Sequence, residues 1–114
     1  MKRIALIITL FVIALTAMAQ KTLSGTILSK TDGQPVEMAT VRLFEYKGAD
    51  STLVQGAQTY YDGLFILSNI RPGRYKLIVS SVGFNEQSQW VEMKQSDLDI
   101  PAIRLVEQVQ ELAE

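Results

Sequence analysis

The chain of 114 residues contains no cysteine and no histidine. Without cysteine there is no disulfide, no thiolate metal site, no thiol nucleophile and no lipid attached at a cysteine. Without histidine the usual general base near neutral pH and the commonest metal ligand are both missing. Charge of one sign is also lacking: 11 Lys+Arg nearly balance 12 Asp+Glu, leaving a formal −1. Such a balance gives no electrostatic footprint for nucleic acid. Most enzyme classes are thereby disfavoured, and only carboxylate chemistry stays open. The length allows one ordinary domain.

What is present is unevenly spread. Residues 1–19 hold 15 of the 54 apolar residues. Lys2 and Arg3 make a short basic start, Ile4 to Leu15 is apolar apart from Thr9, and Ala17-Met18-Ala19 places small residues where a signal peptidase reads them. This three-part pattern predicts a helical secretory signal peptide over 1–19, cleaved before Gln20. The rival reading, a transmembrane helix, needs about 20 apolar residues, and this run falls short. The absence of cysteine after the run excludes a bacterial lipoprotein. Loss of Lys2 and Arg3 leaves a mildly acidic mature domain. A small exported domain without disulfides suits a bacterial periplasm or cell surface better than a eukaryotic extracellular space.

From Lys21 onward apolar residues alternate with polar ones between turn signals. Leu23, Gly25 and Ile27 share one parity; Asp32-Gly33-Gln34-Pro35 then turns the chain. Ala39, Val41 and Leu43 mark a second strand, followed by a loop over Lys47–Ser51 and a third strand over Thr52–Tyr60. Asp62-Gly63 is a tight turn, and Phe65 and Leu67 mark a short fourth strand. Tyr75, Leu77 and Val79 are the inward parity of a fifth, with Arg74, Lys76 and Ser80 facing away. Val91 and Met93 lie on one face of a sixth strand, and Leu98 and Ile100 begin a seventh. There the parity shifts to Ile103 and Leu105, which places Pro101 at a bulge or on a sheet edge. Period-2 patterning with regular turns predicts an all-β, seven-stranded antiparallel sandwich over residues 20–105. Residues 106–114 read as a linker toward a further C-terminal region, or as a turn or two of helix.

Two groups of motifs carry a resemblance. Ser24-Gly25-Thr26, Asp32-Gly33-Gln34-Pro35-Val36 and Ala39-x-Val41-x-Leu43 resemble the opening of the carboxypeptidase regulatory-like domain. Asp62-Gly63-x-Phe65-x-Leu67-x-Asn69-Ile70, Pro72-Gly73-x-Tyr75-x-Leu77 and Ser80-x-x-Gly83-Phe84 are similar to its later signature. The resemblance spans about residues 21–105. It implies a transthyretin-like (prealbumin-like) Greek-key sandwich with no catalytic residues of its own. In Bacteroidetes-type bacteria, it further implies the N-terminal extension of an outer-membrane β-barrel such as a TonB-dependent receptor. The partner expected on that basis is a barrel in cis, with possible periplasmic or surface protein partners, and membrane association arises only through the region past Glu114. Leu112-Ala113-Glu114 resembles the start of the junction to a plug or barrel.

Several sharper readings compete with bland ones. Asp32-Gly33, Asp62-Gly63 and Asp97-x-Asp99 could suggest calcium, but a site needs six to eight oxygens and turn chemistry explains them. Glu37, Glu45, Glu86 and Glu92 fall mostly on the polar parity, where a solvated face is the default. Arg71, Arg74 and Lys76 read as a solvated basic turn. Phe44, Tyr46, Tyr60, Tyr61 and Trp90 could stack on sugar rings, against the ordinary exposure of single aromatics. The expectation is therefore a non-enzymatic exported module, with no catalytic, cofactor-binding or metal-ligating residue. A stand-alone secreted domain that binds glycan or protein is the alternative.

Overall fold

The computed structural model describes residues 21–108, so the predicted signal peptide and residues 109–114 of the predicted linker lie outside the described residues. Eight strands follow in order: β1 Lys21–Ser29, β2 Thr40–Lys47, β3 Asp50–Gln58, β4 Leu64–Ile70, β5 Gly73–Ser80, β6 Gln87–Met93, β7 Leu98–Asp99 and β8 Ile103–Leu105. They form two sheets. One is antiparallel throughout, in the order β3-β2-β5-β6. In the other, β1 is central, with β4 antiparallel on one side and β7 and β8 parallel on the other.

The expected seven antiparallel strands are thus corrected in count and in direction. The predicted seventh strand is two, β7 and β8, separated around Pro101. Leu98 pairs with Leu23 and Ile103 with Ile27. Five steps along one chain therefore face four along β1, and the extra residue sits where proline supplies no N–H to a ladder. The parity shift follows directly. Sequence alternation reports which face a residue takes but not which way a neighbouring strand runs, so the parallel pairing was invisible to it. The predicted loop over Lys47–Ser51 is also corrected. Lys47 pairs with Asp50, so β2 and β3 form a hairpin across Gly48-Ala49, with Gly48 at φ 64°.

The inward parities meet between the sheets. Leu23, Ile27, Val41, Leu43, Phe65, Leu67, Leu77 and Val79 are all essentially fully buried, and Tyr75, Val91 and Met93 nearly so. Two glycines set the spacing. A Cβ on Gly25 would stand 2.7 Å from the Phe65 ring, so the ring occupies the place a β1 side chain would take. At Gly63 the backbone is left-handed (φ 80°), and a Cβ would meet the Ile27 carbonyl oxygen at 2.5 Å. That close approach lets Ile27 N–H donate to the Gly63 carbonyl at 2.8 Å.

A sandwich leaves two lateral seams where sheet edges face each other, and a glutamine side chain bridges each. Gln55 of β3 donates from Nε2 to the Ser68 carbonyl at 3.0 Å and accepts from Ser68 N–H at 2.9 Å. It thereby imitates a strand partner for β4. Across the other seam, Gln87 of β6 donates to the Arg104 carbonyl of β8. Thr59 closes the loop before β2, accepting from Ala39 N–H at 2.8 Å and donating to the Val36 carbonyl at 2.6 Å.

Candidate functional site

The aspartates that could suggest calcium are engaged in hydrogen bonds, three with backbone N–H groups and one with a serine hydroxyl. Asp32 accepts from Gln34 N–H at 3.0 Å and Asp62 from Leu64 N–H at 3.1 Å, both two residues on, as in Asx turns. Asp97 accepts from Thr22 N–H at 2.9 Å, and Asp99 from the Ser24 hydroxyl at 3.4 Å, so this pair fastens β7 to β1. Among the described residues, no three acidic side chains gather as a metal site would need. An open cleft of about 300 Å³ lies at the end of the sandwich, lined by Ser29, Asp32, Glu37, Val82, Phe84 and Glu107 among others. Its floor is partly made by the tail of the domain: Gln108 N–H donates to the Gly83 carbonyl at 2.9 Å and Asn85 N–H to Val106 at 2.8 Å.

The outer face of the β3-β2-β5-β6 sheet is built differently. Register places Leu53, Phe44, Lys76 and Trp90 in one row across its four strands. Because side chains alternate, Arg42 and Tyr46 on β2 and Arg74 on β5 share that face. Tyr46 and Trp90 meet edge-to-face with centroids 5.3 Å apart and planes at 62°. The Arg74 guanidinium lies over the Trp90 ring, 4.5 Å from its centroid. Lys76 Nζ lies over both rings, 5.9 Å from the Tyr46 centroid and 5.7 Å from that of Trp90. Beside them Arg42 covers Phe44 at 5.8 Å and reaches Glu86 at 3.7 Å. A cation–π contact at an exposed site contributes about 0.5–1 kcal/mol, a bias toward placing these cations over the rings.

The structure therefore brings together three of the five aromatics. Tyr60 and Tyr61 are exposed in the β3–β4 connection, away from this row. Of the three basic residues read as one turn, Arg74 and Lys76 join the aromatic face. Arg71 stays at the turn, where its carbonyl accepts from the Tyr75 hydroxyl at 2.8 Å. Burial holds the Tyr75 hydroxyl proton above the ordinary tyrosine range; the Glu45 carboxylate adds to this and the Arg71 guanidinium opposes it. Arg42 was not singled out by its sequence, and its only advance signal is a shared parity with Phe44 and Tyr46.

The carboxypeptidase regulatory-like domain profile matches residues 22–105, from the start of β1 to the end of β8. The chain belongs to the carboxypeptidase regulatory-like domain family. Solved structures agree on the fold at low identity. The chain is similar to 5-hydroxyisourate hydrolase from Klebsiella pneumoniae, with a TM-score of 0.57 and 22% identity, covering 78% of this chain and 92% of that one. A streptococcal ancillary pilin gives 0.64 at 12%, covering 81% and 30%. A DUF3823 family protein from Bacteroides uniformis gives 0.61 at 16%, covering 75% and 43%. The family domain thus spans less than half of the pilin and of the Bacteroides protein, and has a transthyretin-like fold. Comparison with curated protein sequences gives no match.

Proposed function

We propose that this carboxypeptidase regulatory-like domain is an exported, non-catalytic accessory module. Its place is the N-terminal extension of an outer-membrane β-barrel protein of the TonB-dependent receptor type, in the periplasm or at the outer membrane. The observation that carries this reading is an adjacency. A segment with every part of a secretory signal runs into a family domain that begins at residue 22. The hydrolase of the same fold does not extend to this chain as an activity, because 22% identity speaks for the fold alone. A chain with no histidine also has no imidazole for acid–base catalysis. The genomic sequence after the Glu114 codon tests the reading. Several hundred further residues with alternating barrel strands are expected, and an immediate stop codon would overturn it.

A second reading, a secreted domain that binds glycan or protein, is favoured by one observation. Phe44, Tyr46 and Trp90 fall on one sheet face, and Tyr46 and Trp90 touch. A binding face by itself fits either reading, since an accessory module can carry one; the second reading differs in that the domain stands alone.

A further inference from the structure

We propose that the outer face formed by Tyr46, Arg74, Lys76 and Trp90 binds a polysaccharide whose sugars carry carboxylates, that is, a uronate-containing glycan. The inference rests on the glycan-binding reading above and names the class of glycan. The rings supply flat apolar faces on which the C–H side of a pyranose can lie. Trp90 is on an edge strand and remains 49% exposed despite the cations over it, so ring surface is available to a ligand.

The cations decide the class. Glu92 stands directly opposite Arg74 in the β5–β6 register, the position from which a carboxylate ordinarily neutralises it. The only ion pair among the described residues is instead Arg42–Glu86. Arg74 lies over the indole, and Lys76 lies over both rings. A guanidinium stacked on a ring keeps its in-plane N–H donors, which match the two oxygens of a carboxylate. Lys76 adds a second charge one strand position further along the same face. The domain as a whole is mildly acidic, so this face is a local reversal of sign. Charge complementarity therefore selects an anionic occupant, and the exposed indole beside the half-buried Tyr46 ring selects a sugar over an acidic peptide, whose backbone offers no equivalent apolar flat face.

Trp90 is the single tryptophan of the chain, so its emission reports on this face alone. The experiment titrates the purified protein with oligogalacturonate, with its fully methyl-esterified twin, and with poly-glutamate, following tryptophan emission and heat of binding. Oligogalacturonate is expected to shift the emission and to bind at least about tenfold more tightly than the ester, the size of one charge-assisted contact. That preference should weaken as salt is raised. Arg74→Gln and Lys76→Gln are each expected to remove it while lowering the thermal unfolding midpoint by only the few degrees that the lost cation–π contacts account for. Equal binding of acid and ester would leave glycan binding standing and overturn the choice of a uronate. Absence of binding to both would overturn the glycan reading as well. Binding of poly-glutamate as tight as that of oligogalacturonate would overturn the sugar in favour of an acidic peptide. The comparison of acid with ester needs no variant, so it decides even if a substitution disturbs folding.

Discussion

Tyr75 shows how one side chain serves both packing and chemistry. Its ring completes the core beside Gly73, while its hydroxyl reaches out to the Arg71 carbonyl at the end of the preceding turn. Removing the hydroxyl in Tyr75→Phe should cost about 1 kcal/mol at neutral pH, the net value of one hydrogen bond. The pH dependence follows from the raised hydroxyl. In the unfolded chain this tyrosine ionises near its ordinary value of 10.0, while in the folded domain it holds its proton to higher pH. The unfolded state therefore binds fewer protons in that window, and the contribution of Tyr75, complete below 10.0, declines as pH rises above it. The deficit of Tyr75→Phe relative to the parent should accordingly shrink in urea unfolding above about pH 10. A deficit that stays constant from neutral to alkaline pH would show that the hydroxyl is not shielded in the folded state.

Among the elements, alternation made most strands legible, and particular residues show why. The inward parity of Tyr75, Leu77 and Val79 is buried, and so are Val41, Leu43, Phe65 and Leu67, the apolar residues that mark the second and fourth strands. Burial on one face with water on the other imposes the period of two, so that signal survives in a single sequence. Strand adjacency does not. Phe44, Lys76 and Trp90 are scattered along the chain and become neighbours only through the order β2-β5-β6. The glutamine bridges were equally hidden, because a polar residue on an exposed strand has no reason to be marked. Gln55 does share the inward parity of Ala57, and a polar side chain there is the one available hint. Replacing it in Gln55→Ala should lower stability by about 1 kcal/mol through two exposed hydrogen bonds. It should also speed hydrogen exchange at the Ser68 amide, which loses its acceptor. Unchanged exchange at Ser68 would mean that the seam is closed by packing alone.

At the scale of the whole molecule, the domain is a two-sheet sandwich whose side-chain hydrogen bonds serve to fasten one strand or turn to another. Its polar groups are spent on turns, seams and the fastening of β7 to β1. Among the described residues, the aromatic and cationic sheet face gathers the ring and cation contacts, and it lies opposite the buried core. The proposed accessory role turns on where the domain is held as well as on what it binds. Immunoblotting of fractionated source cells with an antibody raised against the domain tests that placement most directly. The expected result is a band in the outer-membrane fraction, far above the 12.7 kDa of this chain. A soluble periplasmic species no larger than 12.7 kDa would contradict it.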